Sequence, residues 1–423
     1  MNLPYYADLH IHSHYSRATS PACKPEGLFR WAQLKGVGVC GTGDCTHPGW
    51  LAELQEKLCE ADAPGLYELK SSLREAANSD VPETCRQPVR FLVTGEISSI
   101  YKRDGKVRKV HSVVLLPSLD AASRLSARLA QIGNILSDGR PILGLDPRNL
   151  LELLLETDPR AALIPAHIWT PWFSMLGSKS GFDSLEACFG DLSPHIFAVE
   201  TGLSSDAPMN HRIRSLDRVA LVSNSDLHSP ANLGRNANRF FGKPSYDAIL
   251  NGLRTKDPAV CGGTVDLFPE EGKYHLDGHR ACRVRLTPEE SLARDNLCPA
   301  CGKELTIGVL HRVVELERNQ QIEAGSPSTS VLDLPPRLPY RYIVPLPELL
   351  AQQLGVAPTS KKVAAAYAGL LAKAGPELPL LLDADAHALG ALGAIGEALL
   401  KVRKGQVLRA GGYDGEYGTI RVV

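Results

Sequence analysis

Histidine and acidic residues occur in this sequence at spacings that suit a bound metal ion. His10 and His12 are separated by one residue, and Asp226 and His228 repeat that spacing further along the chain. Alternate side chains of a strand point to the same face, so each pair can offer two ligands to one cation. Five single residues of the same chemical types lie between the two pairs: Asp44, His47, Glu96, His111 and His167.

Taken singly, each of these residues has a structural explanation, because a carboxylate at a strand end often caps a helix and a lone histidine is usually a surface or core residue. Two pairs that bracket single ligand-type residues, all at strand ends, instead favour a centre of two or three ions, typical of metal-assisted hydrolysis. We expect Asp226 to position or deprotonate the attacking water and Glu96 to bridge metals. Mixed imidazole and carboxylate ligands suit zinc, manganese or iron.

A second metal site is predicted between residues 256 and 322. His279-x-x-Cys282 and Cys298-Pro-Ala-Cys301 have the spacing of a structural zinc knuckle. A redox Cys-x-x-Cys would need a thioredoxin-like setting, for which the sequence gives no sign. His275 is an alternative first ligand, but His279 has the better knuckle spacing. We expect Zn²⁺ here and in the main centre, with Mg²⁺ or Mn²⁺ supporting activity.

Short apolar runs that alternate with amphipathic stretches predict the elements that position these ligands. The runs at 37–42, 91–95, 110–116, 163–165, 197–199 and 220–223 are predicted strands, and the stretches between them are predicted helices. Repeated βα units predict an α/β barrel over residues 1–255, whose strand ends collect functional residues. We expect a zinc-binding module at 256–322, a linker at 323–341 and a mainly helical region at 342–423.

Composition limits the possible functions. The chain has 423 residues, with 46 Lys and Arg against 47 Asp and Glu, so any contact with nucleic acid must be local. The start of the chain lacks the basic and apolar segments of a signal peptide, and the most apolar stretch is interrupted by Asp383, Asp385, His387 and Glu397. We therefore expect a cytoplasmic, nucleoid-associated protein without a membrane partner.

The ordered motifs resemble those of the polymerase-and-histidinol-phosphatase (PHP) superfamily. The resemblance rests on 8–16, Gly43-Asp44, Glu96, His111, His167 and 225–228, and it implies a distorted (β/α)7 barrel with a trinuclear metal centre. Two positions depart from the pattern: Cys45 stands where histidine is usual, and Arg17 where an acidic residue or histidine is common. We expect His47 to replace the missing imidazole and Arg17 to alter the ligand set or contact phosphate.

Within that superfamily, the segments 13–20, 41–44, 308–312 and 412–418 and the knuckle resemble the endonuclease Q branch, over nearly the full chain. The resemblance implies cleavage of DNA on the 5′ side of uracil, hypoxanthine, xanthine or an abasic site, leaving a 3′ hydroxyl and a 5′ phosphate. Double- and single-stranded DNA are both expected partners. No clamp-binding peptide is evident, and a sliding clamp is left as an unknown partner.

Several side chains near the metal motifs are predicted to contact DNA. The segment 101–109 is predicted to form a hairpin tip rich in basic residues, and the loop after His167 carries aromatic residues that either fill the core, form a lid or stack on an extruded base. The expected substrate-binding residues are Tyr15, Ser16, Arg17, Lys102, Arg103, Trp169, Trp172 and Ser174.

Two other functions fit parts of the pattern. The first is a PHP exonuclease or small-molecule phosphomonoesterase, which would act on generic phosphate esters without the knuckle. The second is a non-catalytic DNA-binding repair scaffold with a vestigial metal site, which would bind DNA without cutting it. The sequence has no Gly-x-x-x-x-Gly-Lys-Ser/Thr loop for ATP phosphates, so a motor function is disfavoured.

Overall fold

The apolar runs of the sequence form the strands of the computed structural model, which describes residues 4–324 and 337–423. The strands are β1 (Pro4–Asp8), β2 (Val37–Gly41), β3 (Leu58–Glu60), β4 (Tyr67–Leu69), β5 (Arg90–Arg103), β6 (Lys106–Leu116), β7 (Ile142–Leu143), β8 (Ala162–Pro165), β9 (Ala198–Glu200), β10 (Ala220–Val222), β11 (Ala237–Phe241), β12 (Cys261–Leu267), β13 (Asp277–His279), β14 (Val284–Leu286), β15 (Tyr340–Ile343), β16 (Val407–Ala410) and β17 (Thr419–Val422). Most of the barrel strands match the predicted runs within a few residues.

The α-helices lie between and after these strands. They are α1 (Pro25–Lys35), α2 (Pro48–Lys57), α3 (Ser71–Asn78), α4 (Leu119–Ala130), α5 (Pro147–Thr157), α6 (Leu185–Phe189), α7 (Ala207–Asn210), α8 (Tyr246–Thr255), α9 (Pro288–Leu292), α10 (Val309–Ala324), α11 (Leu346–Leu354), α12 (Lys361–Ala374), α13 (Glu377–Leu382), α14 (Ala386–Gly390) and α15 (Ala394–Arg403). None of these helices is both long enough and apolar enough to cross a membrane.

Seven strands form the barrel. β1, β2 and β5 are parallel neighbours, β6 runs antiparallel to both β5 and β8, and β9 pairs in parallel with β10. The ring is joined where Ile168 N donates to Glu200 O and where Ile11 forms a parallel bridge with Leu227. The predicted α/β class and distorted (β/α)7 barrel are confirmed, and the antiparallel β6 is one source of the distortion.

Helix α4 shows how local sequence encodes the outer layer of the barrel. Leu119, Leu125 and Leu129 recur at helical spacing and are buried in the core. The hydroxyl of Ser118 accepts a hydrogen bond from Ala121 N at 3.1 Å and so caps the first turn. This apolar stripe positions the loop that follows α4, which returns to the end of the barrel that carries the predicted ligands.

The strands β5 and β6 form a long hairpin that projects from the barrel. Their register pairs Arg103 with Lys106, and the two turn residues Asp104 and Gly105 have φ angles of +52° and +73°. An Asp-Gly pair with both φ angles positive matches the right-handed twist of the flanking strands. The hairpin tip predicted at 101–109 is therefore present, with Lys102 exposed.

Three features differ from what the sequence pattern predicts. The Pro-Glu-Glu-Gly-Lys segment at 269–273 predicts a hairpin, but Pro269–Glu271 forms a single 3-10 turn and the antiparallel pair comes later, where β13 pairs with β14. The pattern of 386–404 predicts one helix, but Gly393, whose φ is +61°, divides it into α14 and α15. Helix α13 was not predicted, because Pro379 within its apolar run is a helix-breaking signal.

The parts beyond residue 255 share the large sheet with the barrel. β12 lies within the expected zinc module, yet it pairs with β11, and β15 pairs with β12 in parallel. The expected linker 323–341 therefore ends in a strand, while its residues 325–336, with Pro327, Pro335 and Pro336, lie outside the described residues. The C-terminal tail packs on the knuckle, where Asp414 accepts hydrogen bonds from Arg280 N and Thr306 Oγ1.

Candidate active site

Six predicted ligands meet at one end of the barrel. His10 and His12 follow β1, Asp226 follows β10, and Glu96 lies in β5. Ligand atoms of these four residues lie within 4.8 Å of one another, and a second group of the same compactness contains Glu96, His111 and His167. Because Glu96 belongs to both groups, its carboxylate can bridge two ions.

The distances in the first group join imidazole nitrogens to carboxylate oxygens. His12 Nε2 is 3.1 Å from Asp226 Oδ1 and 3.2 Å from Glu96 Oε2, and His10 Nε2 is 3.4 Å from the same Glu96 oxygen. In the second group, His111 Nδ1 and His167 Nε2 lie 2.7 Å and 3.3 Å from Glu96 Oε1. Each oxygen of Glu96 therefore faces a different pair of histidines.

The site is strongly polarised. Burial raises the pKa of the Glu96 carboxyl, but His111, Arg140 and His10 outweigh it and hold that pKa well below its usual value. The pKa of Asp226 is likewise lowered, mainly by His10 and His12 against the effect of burial. Burial lowers the pKa of His111 to about 4. Ionised carboxylates beside a neutral imidazole form a donor set for a divalent cation.

An unsatisfied atom at the centre tests whether these residues fit a metal. His10 Nε2 is buried and has no hydrogen-bonding partner among the described residues, although buried polar atoms are normally paired. It points between Glu96 and Asp226, the two acidic members of its group. A cation bound by this group would satisfy the atom, so the residues fit a metal centre.

A second layer of residues orients the ligands. Glu200 accepts a hydrogen bond from His10 Nδ1 at 2.9 Å, and Ser174 Oγ lies 3.2 Å from His167 Nδ1. His12 Nδ1 is 3.1 Å from Asp44 Oδ1. Such partners fix the tautomer of a ligating histidine and leave its other nitrogen for the metal. Ser174 was predicted to bind substrate, but here it contacts a ligand.

Three of the predicted ligands lie outside both groups. Asp44 is buried, and its Oδ2 accepts hydrogen bonds from Ser13 N, Ser13 Oγ and Ser16 Oγ, so it supports His12 from behind. His47 caps α2 by accepting from Trp50 N, while its Nε2 donates to Leu136 O at 3.1 Å. Both nitrogens of His47 are therefore engaged away from the cavity.

His228 lies at the rim of the centre. Its ring is 4.5 Å from the ring of His12, and its Nδ1 is 3.1 Å from the backbone oxygen of Asp226. The side chain is about one third exposed, and burial lowers its pKa. The structure thus places His228 beside the ligands and next to open space, where a third ion or a substrate phosphate could meet it.

A cavity of about 520 Å³ opens over the two groups of candidate ligands. We refer to the two groups as the metal groups and to the cavity as the metal cavity. One wall carries Arg140, whose Nη1 lies 3.0 Å from Glu96 Oε2. The lining also includes aromatic residues: Trp172 is partly exposed and lies 6.1 Å from Tyr274, and Tyr417 comes from the C-terminal tail. Lys273 Nζ lies over both tyrosine rings. The cavity therefore combines anionic ligands, cations and stacking surfaces.

The remaining predicted substrate-binding residues have different surroundings. Trp169 is buried, and its Nε1 donates to Asn210, so it belongs to the core. Tyr15 packs on the ring of His47 at 4.4 Å. Arg17 is mostly exposed, 3.7 Å from Asp138. Arg103, which directly precedes the hairpin turn, binds Asp146 and the backbone oxygen of Cys188.

The predicted knuckle residues also come together. Ligand atoms of His279, Cys282, Cys298 and Cys301 lie within 4.8 Å of one another, and His275 is not in the group. Burial raises the pKa of the Cys298 thiol, but N–H groups of Ala300 and Cys301 point at its sulfur and lower that pKa to about 6. A thiolate next to an imidazole is the ligand chemistry of structural zinc.

The sequence analysis missed several residues of the site. Glu200 ends β9, and that position was a signal that could have included it. Arg140, Tyr274 and Tyr417 stand in loops without a metal or strand pattern. These residues come from three distant parts of the chain, and the tertiary fold brings them to the same cavity.

A barrel whose strand ends hold histidine and carboxylate clusters around a shared glutamate belongs to the class of metal-binding (β/α) barrels. The chain is 30% identical to the lesion-specific endonuclease PfuEndoQ from Pyrococcus furiosus, whose crystal structure matches it with a TM-score of 0.82 over 99% of this chain and 96% of that one. The chain belongs to the endonuclease Q family.

Three other proteins are similar to this chain over different shares of its length. Endonuclease Q in complex with a 27-mer duplex substrate that has an abasic lesion at the active site is 29% identical, with a TM-score of 0.81 over 100% of this chain and 97% of that one. YqxK of Bacillus subtilis, an uncharacterised protein, is 28% identical over 98% of this chain and 99% of its own. An uncharacterised protein of Methanocaldococcus jannaschii is 31% identical over 60% of this chain, which spans only 31% of that relative. No family model matches.

Proposed function

We propose that the protein is a metal-dependent endonuclease of DNA repair. It hydrolyses the phosphodiester on the 5′ side of a deaminated base (uracil, hypoxanthine or xanthine) or an abasic site and leaves a 3′ hydroxyl and a 5′ phosphate. The observation that carries the proposal is the likeness to endonuclease Q over nearly the whole chain, including the form bound to a duplex with an abasic lesion.

The metal groups supply the hydrolytic chemistry. One ion would be held by His10, His12, Glu96 and Asp226, and another by Glu96, His111 and His167. Ions bound there lower the pKa of water and neutralise charge on a phosphate oxygen. The histidine-rich donors suit Zn²⁺ or Mn²⁺, with Mg²⁺ as an activating alternative. The knuckle takes a structural Zn²⁺.

The protein's own side chains complete the reaction. Asp226 is partly exposed to the cavity through its side chain, and its lowered pKa keeps it ionised, so Oδ1 can accept a hydrogen bond from the attacking water and orient it. Arg140 projects its guanidinium into the same cavity and can balance phosphate charge. Glu96 faces one pair of histidines with each of its oxygens and so holds both pairs in place around the two ion positions.

The walls of the cavity suit an extruded nucleotide. Trp172, Tyr274 and Tyr417 present aromatic surface on which a base or a deoxyribose can pack, and Lys273 adds a positive charge beside them. A deaminated base pairs weakly and an abasic site lacks a base, so both leave the helix at lower cost than a normal nucleotide. We propose that Lys102, which is exposed on the hairpin, contacts the DNA backbone.

The test uses end-labelled duplexes, and matching single strands, that carry uracil, hypoxanthine, xanthine, an abasic site or no lesion. The protein is incubated with Mg²⁺ or Mn²⁺, and the cut ends are mapped. Asp226→Asn is the inactive variant, and Asp247→Asn, an exposed change in α8, is the matched control. A cut immediately 5′ of the lesion in the wild type and control, absent in Asp226→Asn and in undamaged DNA, supports the proposal.

Other outcomes contradict it. Laddering from a DNA end would indicate an exonuclease, and release of phosphate from a small ester without cutting DNA would indicate a phosphomonoesterase. Binding that depends on the lesion, without any cut in either metal, would indicate a non-catalytic scaffold.

A further inference from the structure

Residues 131–142 follow α4 and end at the first residue of β7, and they expose apolar side chains beside the metal cavity. We refer to this segment as the apolar loop. Ile132, Leu136 and Ile142 are exposed by 41%, 67% and 55%. Single exposed apolar residues are common, but this one short segment carries three of them. The buried Ile135 between them anchors the loop to the core.

The apolar loop is fixed in place by the residues next to the metal ligands. His47 Nε2 donates to Leu136 O at 3.1 Å, and Gly139 N donates to Tyr15 O at 3.0 Å. At Gly139 the backbone runs so close to the centre that an added Cβ would lie 2.3 Å from Asp44 Oδ2. An exposed apolar group on a loop held this firmly is already ordered for a partner.

The same loop lines the metal cavity. Asp138, Arg140 and Ile142 contribute to its wall, and Arg140 reaches Glu96 Oε2 at 3.0 Å. A backbone phosphate that reaches the metal groups must therefore bring its neighbouring nucleotides against the apolar loop.

Basic residues flank the apolar loop and match the charge of nucleic acid. Arg17 is mostly exposed next to Asp138 of the loop. At the end of the loop, β7 pairs with β5, which leads into the hairpin tip with the exposed Lys102 and Lys106. An apolar tip between two basic flanks suits a duplex, whose phosphates meet the flanks and whose base stack meets the tip.

Resting on the proposed function, we infer that the apolar loop is a wedge that enters the base stack next to the lesion, with Leu136 as the inserted side chain. Apolar side chains inserted between base steps unstack and kink DNA. Leu136 fills the gap that the extruded nucleotide leaves, while the anchors at His47 and Gly139 keep the wedge in register with the metal groups.

The experiment compares substrates that need a wedge with substrates that do not. Leu136→Ser is assayed on a fully paired duplex with one abasic site and on the same lesion in single-stranded DNA. The expected result is at least a tenfold slower cut of the duplex and an unchanged cut of the single strand. Leu136→Met, which keeps an apolar tip, should restore duplex cleavage. Leu408→Ser, at an equally exposed leucine of β16, is the control.

A binding measurement separates the wedge from the chemistry. With 2-aminopurine beside the lesion, Asp226→Asn should raise the fluorescence of the duplex on binding, because the neighbouring bases unstack, and Asp226→Asn with Leu136→Ser should not. Equal fluorescence in both, or duplex cleavage by Leu136→Ser at the wild-type rate, overturns the wedge. If the wild type cuts neither substrate, the proposed function is wrong. The fluorescence comparison still shows whether Leu136 unstacks the neighbouring bases.

Discussion

The carboxylate of Glu200 holds the imidazole of His10, with His10 Nδ1 2.9 Å from Glu200 Oε2. The same carboxylate accepts hydrogen bonds from His167 N and from Asn224 Nδ2, both at 2.8 Å. His10 Nδ1 therefore carries a proton, and Nε2 is the nitrogen that faces Glu96. Glu200 therefore joins the segments that follow three different strands, β1, β8 and β10.

Replacing Glu200 by glutamine should weaken the metal centre without removing a ligand. The neutral amide lowers the basicity of His10 and no longer fixes its tautomer, so we expect metal affinity and cutting rate to fall about 10- to 100-fold. Metal titration of the demetallated protein measures the affinity directly. Glu186→Gln, at an exposed glutamate of α6, is the matched control, and equal affinity in both variants would contradict a positioning function for Glu200.

The knuckle should hold its own zinc ion independently of the barrel. Cys298→Ser removes the thiol whose pKa is lowered to about 6, so this variant should contain one zinc fewer per chain than the wild type. Elemental analysis gives the ratio of zinc to protein. Cys59→Ser, at an exposed cysteine outside the group, should keep the wild-type content. The same zinc content in Cys298→Ser as in the wild type would rule out this site.

The ligands of the metal groups were predictable because their positions follow from strand geometry. His10 and His12 follow β1, and the ends of neighbouring strands converge, so strand-end positions predicted that Glu96, His167 and Asp226 lie at the same end of the barrel. The knuckle was predictable for the same reason, since its ligand pairs are local in sequence. Local patterns also gave most of the barrel strands.

The contacts that depend on distant loops could not be predicted. His47 has the chemistry of a ligand, yet it instead caps α2 and binds Leu136, which lies 89 residues away in sequence. Arg140 reaches Glu96 from a loop with no periodic pattern. The joining of β12 and β15 to the barrel sheet was likewise hidden, because a strand's sequence does not specify its partner.

A buried ion pair fastens the C-terminal helices to the barrel. Lys35 Nζ of α1 lies 2.6 Å from Glu377 Oε2 of α13, and the side chains are only 5% and 3% exposed. Lys35→Met leaves the Glu377 carboxylate buried, with Tyr367 and the Leu346 N–H as its remaining donors among the described residues. We expect the free energy of unfolding to fall by about 3–5 kcal/mol in urea titrations.

The second part of the test also removes the charge of Glu377, which Lys35→Met leaves without a cationic partner. Lys35→Met with Glu377→Gln should recover most of the lost stability, because a neutral amide is much less costly to bury than a lone carboxylate. If the double variant is as unstable as Lys35→Met, the loss comes from packing around α1 and not from the charge.

Asp266 should make the stability of the protein depend on pH. This carboxyl is buried in β12, where Thr264 Oγ1 donates to Oδ2 at 2.6 Å, and burial raises its pKa from 3.8 to about 7. The folded protein therefore keeps a proton that the unfolded chain loses near pH 4. Between these pH values the folded state binds more protons, so this group's contribution to the free energy of unfolding falls as the pH rises and is constant above both.

Asp266→Asn removes that titration and keeps a neutral group of the same shape. Relative to the wild type, the variant should gain stability steadily as the pH is raised from about 4 to about 7, and the gain should then level off. Urea unfolding at a series of pH values measures the difference. Asp80→Asn, at an exposed aspartate, should show no such rise. A difference between Asp266→Asn and the wild type that stays constant with pH would mean that Asp266 is ionised in the folded protein throughout this range.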